Sequence, residues 1–239
     1  MFELHVRNLS KRYGRLTALS DVSFSIRSGE ILGLIGPNGS GKTTLFESLA
    51  GVLPHDGGTL TVDGRPIDAA ERARLLFYVP DGIAPWPAQT VRWAINFTLG
   101  FFSGRAALRD ELVERLEIGP LLDTRIGTLS KGQRKRVLLV VGLLAPQPIL
   151  LADEPFDGLD LRQTREVAAT LRASAGDGRT LFLSIHQITD AARMCDRFVL
   201  LSGGHVCGEG TVDELSAVAE RRGRASVAGD LEEVFLALT

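Results

Sequence analysis

Cysteine is nearly absent: Cys195 and Cys207 are the only two in 239 residues. They lie too far apart for a CxxC motif, which excludes a short disulfide scaffold and leaves two reduced thiols in packing positions. An excess of one charge is missing as well. With 27 Lys and Arg against 29 Asp and Glu, the formal charge is −2. Nothing in that balance would hold a polyanion, so nucleic acid is not an expected partner. No apolar run is long enough to cross a bilayer. The most apolar one, Val137 to Ala145, falls far short of the ~20 residues required. The opening Met1-Phe2-Glu3-Leu4-His5 carries neither the basic leader nor the apolar segment of a secretory signal. The expectation is a cytoplasmic chain whose membrane association must run through a partner. Internal repeats and low-complexity tracts are also lacking, and the length suits one domain built of lobes.

What is present is patterned apolar sequence. Val22, Phe24 and Ile26 alternate with Ser23 and Ser25, the period of a strand with one buried face. Thr59 to Val62 runs into Asp63-Gly64 and then Pro66-Ile67, a hairpin signal that extends an antiparallel sheet. Three further runs are nearly continuous: Ile31 to Ile35, Ile149 to Ala152 and Leu181 to Ile185. Such runs suit parallel strands buried on both faces. Each gives way at once to polar or glycine-rich residues, placing their chemistry at strand carboxyl ends, where open α/β sheets bind ligands. From about 85 to 145 the pattern is helical, including Ala106 to Leu116 and the apolar stretch after Gln133. Two more helices are expected, one carrying Val212, Leu215 and Val218, the other running from Leu231 behind Gly229.

The sharpest motif is Gly36-Pro37-Asn38-Gly39-Ser40-Gly41-Lys42-Thr43, a GxxxxGK[ST] match between a strand and a helix. Glycines let successive backbone N–H groups face phosphate oxygens, and the following helix adds its positive end. Lys42 is expected to reach the β and γ phosphates and Thr43 to bind Mg²⁺. Asp153, ending its apolar run, is placed to hold Mg²⁺ directly or through water. Its neighbour Glu154 is then free to orient and polarise an attacking water. His186 ends the third run, where its imidazole could bond the γ-phosphate and that water.

Between these motifs lies Leu129-Ser130-Lys131-Gly132-Gln133. It resembles the ABC signature LSGGQ, with Lys131 in place of the first glycine. Together with GPNGSGKTT at Gly36 to Thr44, ILLADEP at Ile149 to Pro155, Gly158-Leu159-Asp160 and His186, it is similar to the ATP-binding subunits of ABC transporters over nearly the whole chain. The resemblance implies an α/β fold: a P-loop NTPase core with an antiparallel β subdomain and an inserted helical subdomain. Within a single domain over 1–239, it assigns 1–84 plus 146–210 to the nucleotide-binding core, 85–145 to the helical subdomain and 211–239 to a helical tail.

The same resemblance implies roles. Ser130, Gly132 and Gln133 of one subunit would cap the ATP held by the P-loop of another, a second copy or a paralogous ATPase. Tyr13 would stack on adenine, Thr44 would join the phosphate loop, and Asp160 would link the two sites. Asp81 stands where a glutamine is usual. It cannot donate a hydrogen bond when ionised, but could approach Mg²⁺ through its carboxylate or through water. Trp86, between Pro85 and Pro87, is the expected contact with a transmembrane permease, whereas Trp93, Phe97, Phe101 and Phe102 suit either that contact or the lobe's core. The implied activity is Mg-ATP hydrolysis driving a separate permease from the cytoplasmic face of the membrane, with export favoured by the sequence of the tail. A soluble ABC ATPase acting on DNA or the ribosome is the alternative. Against it, Lys42 and Ser130 are too close for a long intervening coiled coil, and there is one cassette rather than two. A P-loop kinase would leave Ser130 to Gln133 and His186 unexplained.

Overall fold

In the computed structural model, residues 2–102, 105–221 and 230–239 are described; the expected helix-start signal at Gly229 lies outside them. The strands, in chain order, are β1 (Glu3–Tyr13), β2 (Leu16–Arg27), β3 (Ile31–Ile35), β4 (Gly57–Val62), β5 (Arg65–Pro66), β6 (Leu76–Val79), β7 (Ile149–Asp153), β8 (Thr180–Ser184), β9 (Arg197–Ser202) and β10 (His205–Gly210). The α-helices are α1 (Lys42–Ala50), α2 (Ala69–Leu75), α3 (Val91–Phe102), α4 (Arg109–Arg115), α5 (Lys131–Leu144), α6 (Leu161–Gly176), α7 (Ile188–Met194), α8 (Val212–Arg221) and α9 (Leu231–Leu238).

The alternating segments build a four-stranded antiparallel sheet, ordered β2-β1-β4-β5. The continuous apolar runs are central strands of a six-stranded sheet, ordered β10-β9-β3-β8-β7-β6. Its pairings are parallel except for the edge hairpin β9–β10. The reason these runs lack alternation is visible in the packing. Leu32 and Leu34 of β3, Ile149 and Leu151 of β7, and Phe182 of β8 face one apolar core. Ile31, Ile35, Leu150, Ala152, Leu181 and Leu183 face the other. With both faces covered, polar residues have no place on either.

The first core lies between the two sheets and grips α1. Phe46 of α1 packs on Phe182 with ring centroids 4.9 Å apart, and Phe182 packs on Phe24 of β2 at 5.4 Å. The helix that follows the phosphate loop is thereby fixed against both sheets. The second core is dominated by α5, whose apolar stretch lies under β6 and β7. A methyl group on Gly142 would sit 2.6 Å from Val79 Cγ2 and 3.0 Å from Leu150 Cδ1, so this face of α5 meets the sheet directly. A buried polar network joins the sheets at the far edge. Arg197 reaches Glu30 at 3.1 Å and Glu209 at 2.6 Å, and Glu209 accepts from Ser25 N at 3.0 Å and Ser25 Oγ at 2.9 Å.

Two expectations are refined. The helical pattern over Ala106 to Leu116 resolves into a short 3₁₀ turn, Ala106–Leu108, followed by α4. Of the aromatics that suited either core or contact, Trp93, Phe97 and Phe101 are exposed, while Phe102 packs edge-on against Phe77 at 5.9 Å.

Candidate functional site

The carboxyl ends of β3, β7 and β8 converge on a cleft of about 940 Å³. The loop from Gly36 to Gly41 closes one side. Gly36 has no room for any side chain, since a Cβ there would lie 2.2 Å from Leu201 O and 2.5 Å from Ser40 Oγ. That fit holds the loop against the end of β9. Ser40 Oγ is itself buried without a partner among the described residues. Lys42 is 8% exposed and folds back over the loop, donating to Gly36 O at 2.8 Å and Pro37 O at 3.4 Å. Its ammonium also lies 3.7 Å from Glu154 Oε1. Thr43 donates its hydroxyl to Asp153 Oδ2 at 2.8 Å.

Asp153 is buried, and its other oxygen accepts a short hydrogen bond from Ser184 Oγ. The Ser184 hydroxyl oxygen accepts in turn from Glu154 N at 3.0 Å. Glu154 adopts a left-handed backbone, φ 49°, a conformation that costs of order 1–3 kcal/mol in a non-glycine residue and concentrates at functional sites. Burial raises the Glu154 pKa; the Lys42 and His186 charges pull it back, and Asp153 adds to the rise. A carboxylate so placed holds or takes a proton more readily than an ordinary surface glutamate. His186 is exposed at the end of β8 and lines the same cleft.

Of the residues expected at the site, Tyr13, Asn38, Gly39, Gly41, Lys42, Thr43, Thr44, Asp81, Asp153, Glu154 and His186 line this cleft. Gly36, Pro37 and Ser40 form the loop behind it. Tyr13 is 46% exposed, with Leu16 beside it in the lining and Lys11 over its ring at 5.6 Å. The unpartnered Ser40 hydroxyl, the Gly36 fit and the Thr43–Asp153 pair suit a triphosphate with a magnesium ion. Thr43 and Asp153 offer the ion hard oxygen donors.

Ser130, Gly132 and Gln133 are not in the lining. They form the start of α5: Ser130 Oγ accepts from Gln133 N at 3.2 Å and Gln133 Oε1 accepts from Ser130 N at 2.9 Å. This capping box is the sequence pattern S-x-x-Q at work. A Cβ on Gly132 would meet Gly158 O at 2.4 Å, so the helix start is seated on the loop after β7. Asp160 also stays out of the lining; it caps α6 by accepting from Gln163 N at 2.8 Å.

Asp81, expected to approach a metal, lies in the cleft lining and beside two lysines. Lys135 Nζ donates to Asp81 Oδ1 at 2.7 Å, and Lys131 Nζ lies 3.7 Å from Oδ2. Partial burial raises its pKa, but the Lys135 hydrogen bond, the two lysine charges and the Gly82 N–H outweigh it, and the pKa is lowered overall. Both oxygens lie within ion-pair reach of ammonium groups. Sequence reasoning missed Lys135, only 3% exposed and also donating to Asp153 O at 2.8 Å, and Ser184. A serine inside an apolar strand, one residue from the polar end, was the available signal for the latter.

The family model described as ABC transporter matches residues 19–157, more than half of the chain. The chain is 30% identical to the lipopolysaccharide export system ATP-binding protein LptB of Escherichia coli, covering 90% of this chain and 93% of that protein. It is 30% identical to the linearmycin resistance ATP-binding protein LnrL of Bacillus subtilis, covering 89% of this chain and 70% of that protein. Among solved structures, an ATP-binding subunit of an ABC transporter matches with a TM-score of 0.86 and 27% identity, covering 98% of each chain.

Proposed function

The chain belongs to the ABC transporter family, and from that membership we propose that it is the Mg-ATP-hydrolysing subunit of an exporter, working as a pair of copies beneath a transmembrane permease. The observation that carries this reading is the meeting of Lys42, Thr43, Asp153, Glu154 and His186 at one cleft, while the capped start of α5 stands outside it. In this reading the cleft holds the phosphates, and the start of α5, outside its lining, caps those of another copy. A second cassette set head to tail would complete each cleft. Export is supported by the relatives named above, one an export-system subunit and one a resistance protein.

In this mechanism the loop amides and Lys42 grip the β and γ phosphates, and Tyr13 offers a flat apolar face to the base. Thr43 and Asp153 would hold magnesium, which when bound neutralises charge on the phosphate oxygens. Glu154 accepts a proton from the attacking water, and its raised pKa strengthens it for that task. His186 orients the same water or the γ-phosphate. Ser130 and the N–H groups at the start of α5, from the other copy, close over the γ-phosphate with the positive end of a helix.

The permease contact falls to an exposed aromatic ladder. Trp86, itself at φ 51°, packs on Trp93 at 5.6 Å and Phe97 at 5.3 Å. Phe97 stacks between Trp93 at 5.0 Å and Phe101 at 5.9 Å. Among the described residues no helix is long and apolar enough to cross a membrane, so in this reading the ladder meets a separate spanning chain on the cytoplasmic face.

Two substitutions test the reading together. Lys42→Ala should abolish productive nucleotide binding, whereas Glu154→Gln should retain binding, lose turnover by ~10²–10⁴-fold and trap an ATP-dependent dimer on size exclusion. Full turnover in Glu154→Gln would remove that residue from its role. Failure of the unaltered protein to bind adenine nucleotide with magnesium would remove the function.

A further inference from the structure

The two places where the sequence departs from the ABC pattern, Asp81 for glutamine and Lys131 for glycine, are 50 residues apart in the chain and in contact in the fold, with Lys131 Nζ 3.7 Å from Asp81 Oδ2. Lys131 also makes a short bond to Asp157 Oδ2. Lys135, one turn further along α5, donates to Asp81 Oδ1 at 2.7 Å. The carboxylates come from two separate strand ends: Asp81 follows β6 and Asp157 follows β7.

Physical chemistry gives this cluster a purpose. The first turn of α5 carries Lys131 and Arg134 and no acidic residue, and Lys135 opens the second turn. Positive side chains at a helix N-terminus oppose the helix dipole. Lys135 is buried besides, and a buried ammonium needs a partner. Asp81 and Asp157 supply the missing negative charge from outside the helix. They do so on the turn that begins with Ser130, and Gly132 is pressed onto Gly158 in the same seat.

We propose that Asp81 and Lys131 are a compensating pair, forming with Lys135 and Asp157 a charge lock that seats the capped start of α5 on the ends of β6 and β7. Asp81 is thus a positioning residue for the γ-phosphate-capping helix and takes no part in holding magnesium. The inference rests on the function proposed above, in which that helix end closes the cleft of a second copy.

The test is a double-substitution cycle on the full chain, using Asp81→Asn, Lys131→Met and both together. Steady-state ATPase rates would be measured against ATP and, separately, against magnesium. Each single change should lower kcat about five- to tenfold, with the KM for ATP and the half-saturating magnesium concentration within about twofold of the unaltered protein. The double variant should be no worse than the poorer single one, because the second change removes a partner already lost. Restoring the family residues with Asp81→Gln and Lys131→Gly should return kcat to within about threefold of the unaltered protein. Losses that multiply in the double variant would overturn the lock. A rise in the magnesium requirement confined to Asp81→Asn would make Asp81 a metal ligand. An effect of Lys131→Met on KM alone would make Lys131 a phosphate contact, and either result overturns the proposal. Should Asp81→Asn fail to fold, the cycle of Lys131→Met with Asp157→Asn, both on exposed residues, carries the same criterion of non-additivity. Unaltered protein that neither binds nor hydrolyses ATP would defeat the functional reading itself; additivity with normal turnover defeats the lock alone.

Discussion

At the scale of single residues, the site depends on how Asp153 and Glu154 are held apart in function although adjacent in sequence. Asp153 is buried and bonded by Thr43 and Ser184, so its charge is fixed toward the phosphate loop. Glu154 turns through a left-handed backbone into the cleft, its N–H held by Ser184. Burial raises the Glu154 pKa above that of an ordinary glutamate, despite Lys42 and His186. The protonated acid cannot accept a proton from water, so the sign is fixed: ATPase activity should fall as pH drops through that raised value. A kcat profile against pH should place its acid limb above the usual carboxylate range near 4.3. A limb at or below that range would mean that Glu154 is not the group being titrated.

Among elements, α5 does two jobs that separate substitutions can distinguish. Its capping box stabilises the helix, while in the proposed function the same Ser130 meets the phosphate of a second copy. Ser130→Ala should cost about 1 kcal/mol of stability, the usual value of a lost cap. Ser130→Asp keeps the cap, since aspartate accepts from the same amide, and should melt within ~0.5 kcal/mol of the unaltered protein. It should nevertheless abolish ATP-dependent dimer formation by setting a carboxylate against the γ-phosphate. Normal dimerisation in Ser130→Asp would confine this serine to capping. The buried triad at the sheet edge carries a second expectation. Arg197→Ala leaves Glu30 buried beside an empty position, and breaking a buried pair from one side costs about 3–5 kcal/mol. Urea denaturation would measure that loss.

For the whole molecule, the proposed function makes the exposed aromatics a surface for another chain. Phe101 is 70% exposed, with Phe97 and Trp93 stacked behind it. Rings so arranged present contact area at little entropic cost, and aromatic residues commonly carry the centre of an interface. Replacing Trp93 and Phe97 by alanine should leave ATP affinity within twofold while weakening capture of a polytopic membrane protein by about 2 kcal/mol or more. Co-purification from detergent-solubilised membranes is the measurement. Retained capture with both rings removed would move the permease contact elsewhere.

Local chemistry was legible in the sequence wherever a motif's spacing matches a single geometric unit. The phosphate loop, the acid pair after β7 and the doubly buried strands all follow from residues a few positions apart, because hydrogen-bond reach and strand periodicity are local constraints. Pairings between distant segments were not legible. Lys135 and Ser184 look like an ordinary helix lysine and a strand serine until β6, β7 and β8 are laid side by side, and only then do they meet Asp81 and Asp153. Asp81 in isolation suggests a metal, since a carboxylate near a phosphate site has that chemistry. Tertiary packing adds what the sequence does not show, two ammonium groups beside its oxygens, because α5 lies along β6.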